Sequence, residues 1–497
     1  MKTSRRDFLR TAAAAGAGAG AVTSGLLAGC TPKGEPSAMP YIEEAASAAH
    51  SQLFNMSGYR APALDRVRIG LVGIGDRGIG SVERLCYIEG TEIVALCDIR
   101  QRAIDGAQEI LASFGMEKAA EYTGSDEAWK AMCERDDIDL VYICTPWIWH
   151  TPISVYAMEN GSHAACEVPI ARTVDEAWQL VETSERTKKH CMQLENCCYD
   201  FFELLTLNMA RQGMFGDILH AEGAYIHNLM GYNFKKPIDE RLGDGAYTGM
   251  WRLKENAARN GNLYPTHGLG PVCQAMNINR GDKMDYLTSM STNDFSMSNR
   301  ARELAAEDPF YDEWKDSKFR GNMNTTLVRT ALGKTIMIQH DVSSIRPYSR
   351  IHLISGTKGI ARKYPANMIA LGHSWLKDDE MKALWEQYTP EIVNRVGEKA
   401  REVGGHGGMD FIMDWRLIDC LRNGLPLDQD VYDGAAWSVI SPLTEWSVAN
   451  RSASIDVPDF TGGSWKTNKP VDIQLLEGGS TGVRQKVEAG AEVQLNV

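Results

Sequence analysis

Gly73, Gly75 and Gly78 stand in the spacing G-x-G-x-x-G at the end of an apolar run, VRIGLVG (67–73). Glycines so spaced bind a dinucleotide. The first makes a tight turn, the second lets the backbone approach a pyrophosphate, and the third lets the next helix pack closely on the strand. Free N–H groups at the start of the following helix pattern, SVERLCYI, face the phosphate charge. A second apolar run, EIVALCD, ends in Asp98, 20 residues after Gly78. A carboxylate there accepts hydrogen bonds from the adenosine ribose hydroxyls and repels a 2′-phosphate, which favours NAD over NADP. Arg100 and Arg102 work slightly against that preference.

Positioning these residues requires a parallel sheet. VRIGLVG, EIVALCD, DLVYICT, HAACEV and CMQLEN are apolar runs separated by helical patterns, as expected for strands buried on both faces. Residues 65–196 therefore read as a doubly wound Rossmann domain, with ligands at the carboxyl ends of its strands. After Asn196 the rhythm changes. Runs such as DILHAEGAYIHN, YLTSMSTN, NTTLVRTALG, KTIMIQHDV and RIHLISGTKG are joined by Gly-containing turns. They predict an α/β domain over 197–450 with an open, mostly antiparallel sheet, and a polar C-terminal extension over 451–497. Residues 31–64, rich in Pro, Ser, Ala and Gly, read as a linker.

The first 30 residues read as a targeting segment. SRRDFLR (4–10) resembles a twin-arginine export signal, and LAGC, ending at Cys30, resembles a lipoprotein lipobox. The expectation is a folded body exported by the twin-arginine route and lipid-anchored through Cys30 at a bacterial membrane surface. Ten cysteines follow Cys30 without C-x-x-C or zinc-ligand spacing, so neither a metal centre nor a disulfide framework is expected. A formal net charge of −13 argues against a nucleic-acid partner, since no basic excess exists to displace phosphate counterions.

From Val67 to Ser447 the chain resembles the glucose–fructose oxidoreductase and inositol dehydrogenase superfamily, whose C-terminal open sheet carries a sugar site. DLVYICTPWIWH followed by GSHAACEVP matches a landmark that usually ends Glu-Lys-Pro, and here ends Glu167-Val168-Pro169. The resemblance implies that the usual Lys, which polarises the substrate hydroxyl, is absent. Glu167-Val-Pro, LENCCYD (194–200), WRLKENAARNGNLYPTHGLGPV (251–272) and GGHGGMD (404–410) together resemble glycoside hydrolase family 109. That family uses tightly held NAD to cleave α-N-acetylgalactosaminides. The resemblance implies oxidation at the sugar C3, loss of the C2 proton with elimination at C1, addition of water, and re-reduction, with no net redox change. An exported enzyme with no NAD pool to draw on would need such a self-restoring cycle.

Carried over to matching positions, Asp76 and Arg77 lie beside the pyrophosphate, and Trp147, Ile148, Trp149 and His150 bracket the cofactor. Glu167, Val168 and Asn196 lie on the nicotinamide side, and Tyr247 and Trp251 line the cofactor. On the sugar side, His267 in the loop-like YPTHGLGP is the candidate acceptor of the C3 hydroxyl proton. Tyr264 and Tyr225 can bond sugar hydroxyls, or act as the C2 base if their pKa values are depressed; which of the three takes which proton stays open. Arg252, Pro265, Thr266 and Tyr348 complete the substrate set, and His406, among four glycines, either reaches the site or serves a turn. Two other readings remain: an exported oxidoreductase swapping hydride between sugars, and a sugar-binding lipoprotein with a vestigial nucleotide site. By analogy with the superfamily, the open sheet face permits a homo-oligomer.

Overall fold

The computed structural model describes residues 39–237 and 247–486. The export signal, Cys30, the first part of the linker and the last eleven residues lie outside the described residues.

Apolar runs with no polar alternation form the first sheet, whose order is β3-β2-β1-β4-β5-β6, parallel throughout. Its strands are β1 (Val67–Val72), β2 (Thr91–Cys97), β3 (Ala120–Tyr122), β4 (Leu140–Ile143), β5 (His163–Cys166) and β6 (Cys191–Gln193). Every residue of β4 and β5 is buried, as a strand covered by helices on both faces demands. The strand order reverses between β1 and β4, and the crevice at their carboxyl ends is where a doubly wound sheet holds its ligand.

The second sheet follows β7 (Ile218–Ile226) and has eight strands in the order β13-β12-β11-β7-β10-β9-β8-β14. They are β8 (Met284–Ser291), β9 (Asn324–Thr330), β10 (Thr335–Asp341), β11 (Leu353–Gly356), β12 (Ile360–Arg362), β13 (Met368–Ala370) and β14 (Ile455–Asp456). Only β7 and β10 pair in parallel, so the sheet is mixed and mostly antiparallel. β9 and β10 alternate buried and more exposed positions, the signature of a sheet with one covered face.

Two expected boundaries change. The linker reading is corrected for residues 39–64. They begin with the helix Pro40–Ala46, bury Ile42, Ala46, Met56 and Ala61, and lie across both halves. His50 Nε2 bonds Glu185 at 2.8 Å, and Gln52 Nε2 donates to Tyr432 Oη at 2.7 Å. Residues 451–486 are likewise part of the fold. β14 extends the second sheet, while Val483 bridges to Ile88 and Arg484 donates to the Cys86 and Thr91 carbonyls at the edge of the first.

The YPTHGLGP stretch, expected as a loop, forms the helix Thr266–Ala275. Its glycines serve close packing, not turning. A Cβ on Gly268 would lie 2.2 Å from Ala224 N, and one on Gly223 would lie 2.1 Å from Gly268 O. The helix can therefore press its backbone onto β7, which brings His267 beside Tyr225.

Candidate active site

A cavity of about 420 Å³ opens where β1, β2, β4 and β5 end, and it reaches the helix Thr266–Ala275 and β7. Its floor on the cofactor side is the glycine turn. Gly73 has φ 84°, and a Cβ there would meet the Cys144–Thr145 backbone at 2.8 Å. A Cβ on Gly78 would lie 1.9 Å from Gly73 O, so this glycine packs beneath the turn and does not line the cavity. At Gly75 an added Cβ meets only Arg100 Nη2 at 3.7 Å, which leaves its methyl-sized space to a ligand. Tightness at two glycines and room at the middle one fit a pyrophosphate cradle.

Asp98 stands at the end of β2 and accepts from Ile74 N–H at 2.7 Å and Arg100 N–H at 2.9 Å. Arg100 also folds its Nε onto the same carboxylate at 3.1 Å, so its charge is partly neutralised there. Trp147, Trp149 and His150 line the cavity, but Ile148 does not: it is 53% exposed. The His150 ring is pinned between the Pro169 and Thr145 carbonyls, each at 2.7 Å. Burial pushes its pKa down, and a neutral ring has a proton for only one of the two.

Arg77 lines the cavity but its guanidinium turns from the expected pyrophosphate position to two carboxylates, Glu167 and Asp410, each at 2.5 Å. Asp410 is the hub of this group. It also takes Asn196 Nδ2 at 2.5 Å and His406 Nδ1 at 2.8 Å. Burial alone would push its carboxyl up, but Arg77, the His406 hydrogen bond and Arg84 hold it well below the ordinary carboxylate range. Asn196 and Glu167 are thereby fixed at the nicotinamide end, and His406 reaches the cavity wall.

On the sugar side the decisive contact joins residues 72 positions apart. His267 Nδ1 lies 2.8 and 3.0 Å from the two oxygens of Glu195. Glu195 has no exposed side-chain area and also accepts Cys197 N–H at 3.0 Å. Burial pushes its pKa up, but the positive charge and hydrogen bond of His267 turn the net shift downward, so the carboxylate stays ionised. It holds the Nδ1 proton and leaves Nε2 as the working nitrogen, the orienting arrangement that nucleophilic and acid–base sites share. Glu195, Cys197 and His267 also bring one ligand atom each within 4.8 Å. Burial keeps the Cys197 thiol protonated, and Glu195 is already engaged by two donors, so the set works as an acid–base pair.

Arg252 is 7% exposed and has no carboxylate partner among the described residues. Four rings surround its guanidinium carbon: Tyr264 at 4.7 Å, Trp147 at 5.1 Å, Tyr247 at 5.4 Å and Tyr225 at 6.0 Å. Cation–π contacts of this kind contribute about 0.5–2 kcal/mol each. A desolvated guanidinium with no acid to neutralise it is a strong donor toward an oxygen of a bound molecule. Burial pushes the pKa of both Tyr225 and Tyr264 upward, which corrects the expectation that either could be a depressed-pKa base; both stay protonated. Tyr264 and Tyr225 line the cavity, while Pro265 and Thr266 are buried behind it. Tyr348 stands outside its wall, edge-on to Tyr225 and His227.

Residues 67–194 match the model of the "Oxidoreductase family, NAD-binding Rossmann fold", and residues 199–467 match "Glycosyl hydrolase 109, C-terminal domain". A "Glycosyl hydrolase family 109 protein" of Shewanella pealeana is 46% identical over 481 residues, 95% of this chain and 99% of the relative. The chain belongs to glycoside hydrolase family 109. A second member, from Bacteroides fragilis, is 48% identical over 429 residues, covering 83% of this chain and 89% of its own. The fold is also that of the scyllo-inositol dehydrogenase from Lactobacillus casei, solved with bound NAD(H) and scyllo-inositol. That likeness has a TM-score of 0.54 and 14% identity, and covers 79% of this chain and 99% of the dehydrogenase. This family member is thus built on an NAD-binding oxidoreductase framework, and NAD is its cofactor.

Sequence reasoning missed Glu195, Asp410 and His227 as members of the site. Glu195 carried a local signal, an acid at the end of a Rossmann strand next to Asn196. Asp410 closes the GGHGGMD motif but had no role of its own in the sequence, and His227 carried no signal that a single sequence displays.

Proposed function

We propose that the chain hydrolyses terminal α-N-acetylgalactosaminides by an NAD-dependent cycle with no net redox change. The observation that carries this reading is the His267–Glu195 pair facing a Rossmann cavity whose sugar end offers no pair of free carboxylates. The acids lining the cavity are Asp76, Asp98, Asp126 and Glu167; the first three lie on the cofactor side, and Glu167 is held by Arg77. Hydrolysis by two flanking carboxylates therefore has no support among the described residues.

The glycine turn, Asp98, Glu167 and Asn196 would hold NAD, which when bound would supply a reversible oxidation at the sugar C3 that acidifies the C2–H bond. The protein's own groups do the rest. His267 Nε2 takes the hydroxyl proton, and buried Glu195 stabilises the imidazolium so formed. Arg252 donates to a sugar or acetamido oxygen, and the rings of Trp147, Tyr225 and Tyr264 exclude water around it. Val168, 2% exposed at the cavity wall, stands where the superfamily resemblance implies a proton-donating Lys, which disfavours the sugar oxidoreductase reading.

Purified protein given an aryl α-N-acetylgalactosaminide and no added cofactor is expected to release the phenol. NADH accumulating on other sugars without phenol release would replace this reading with an oxidoreductase. SRRDFLR and LAGC further support twin-arginine export and a lipid anchor on Cys30 at the membrane surface. Cys30→Ser is then expected to move the protein from the membrane fraction to the soluble one; unchanged partition would remove the anchor.

A further inference from the structure

Two proton-carrying groups face the sugar end of the cavity, and they differ in what lies behind them. Behind His267 is a closed end: its Nδ1 is bonded to Glu195, which has no exposed side-chain area. Behind Tyr225 is an open one. Tyr225 and His227 sit two residues apart at the end of β7, so their side chains leave the same face. Tyr225 Oη lies 2.9 Å from His227 Nδ1, with the rings edge-on at 5.5 Å and 81°. Tyr348, itself 40% exposed, meets the other side of the His227 ring edge-on at 4.9 Å. His227 is half-buried, and its Nε2 has no hydrogen-bond partner among the described residues, nor is it sealed from solvent.

We infer that Tyr225 and His227 form a proton wire from the sugar C2 to solvent, with His227 the positioning and relay residue. The inference rests on the redox-assisted reading above. Tyr225 Oη accepts the C2 proton while its own proton passes to His227 Nδ1, and the Nε2 proton of His227 passes to water. The C2–H electron pair becomes the C1–C2 double bond, the C1–O pair leaves with the glycosidic oxygen, and that oxygen takes the proton stored on His267. Addition of water runs the same transfers backward, so the C2 hydrogen of the product comes from solvent. The imidazole changes tautomer but not charge. This avoids an imidazolium beside the Arg252 guanidinium, which already lies 6.0 Å from the centre of the Tyr225 ring. Burial, then Arg252, lowers the His227 pKa to about 4, so the ring is neutral and able to switch.

The NAD-loaded enzyme turning over an aryl α-N-acetylgalactosaminide in heavy water tests this. Wild type is expected to release sugar carrying deuterium at C2 in almost every molecule. His227→Leu is expected to slow phenol release about tenfold or more, because Tyr225, already protonated, then has no acceptor for its own proton and cannot take the one from C2. His227→Gln offers Tyr225 a hydrogen bond but cannot take up its proton, so it is expected to stay as slow as His227→Leu, whereas a merely structural role for His227 would be rescued. Thermal midpoint and bound-dinucleotide absorbance verify that each variant is folded. A wild-type release rate in His227→Gln, or wild-type product without deuterium, overturns the wire and leaves the glycosidase reading standing. No phenol release from any of the proteins overturns both, and the missing phenol tells the two failures apart.

Discussion

Glu195 and His267 divide the work of one base between a visible nitrogen and a hidden carboxylate. Glu195→Gln keeps the shape and a hydrogen-bond acceptor but removes the charge that stabilises the imidazolium. The expected result is a kcat lower by about 10–100-fold with KM little changed. His267→Ala, which removes the proton acceptor itself, is expected to cost about 10²–10⁴-fold in kcat. Steady-state kinetics on an aryl glycoside checks both, and a Glu195→Gln enzyme with wild-type kcat would show that the buried carboxylate only supports the fold. The tyrosines obey a different rule. Burial raises their pKa values, so Tyr225 and Tyr264 bring no phenolate to the neutral range and act as hydrogen-bonding groups whose protons move only with a partner. That correction could not be read from the sequence, because a phenol's pKa depends on the Trp147, Arg252 and β7 surfaces that fold around it.

At the scale of elements, the glycines separate two functions. Gly75 has φ −80°, which any residue adopts, and open space beyond it. Gly75→Ala should leave the thermal midpoint within a few degrees but lower bound NAD, read from the dinucleotide absorbance of the purified protein. Gly268→Ala should do the reverse. Its Cβ would strike the Ala224 backbone, so the helix Thr266–Ala275 must lift from β7, costing about 1–3 kcal/mol and displacing His267. Lower thermal stability together with lost activity is the expected signature. The same pair shows what the sequence made legible. The strand periodicity and glycine spacing of VRIGLVGIGDRGIG are local, and they placed Gly73, Asp98 and the parallel sheet. The YPTHGLGP helix looked like a loop because its Gly and Pro are poor helix formers. Their use appears only when β7 lies against them. Short strands such as β3, β13 and β14 escaped for a related reason: they are held by neighbours in the sheet, with too few residues to show a period.

Across the whole molecule, buried ions fasten the two halves beside the cavity. The helix Met409–Asn423 belongs to the second domain by sequence, yet Asp410 and Asp414 point into the first and take Arg77 and Arg84. Tyr142, in β4, donates to Asp414 at 2.7 Å and continues the chain of contacts into the sheet. Ionised Asp410 is therefore both a wall support for Glu167 and Asn196 and a clamp between domains. Removing one member of a buried pair costs about 3–5 kcal/mol, because the remaining charges lose their compensation. Asp410→Asn is expected to lose stability of that order at pH 7. The sign of its pH dependence follows from the shift. Asp410 has a folded pKa held well below its unfolded value of about 3.9, so its stabilisation is present above that pH and is lost as the pH falls toward the folded value. The asparagine variant does not titrate. The stability gap between the two proteins should accordingly hold steady from about pH 7 to pH 5 and narrow below about pH 4. Denaturant unfolding at each pH measures it. A gap that stays constant down to pH 3 would mean that the clamp works through shape and not through the Asp410 charge.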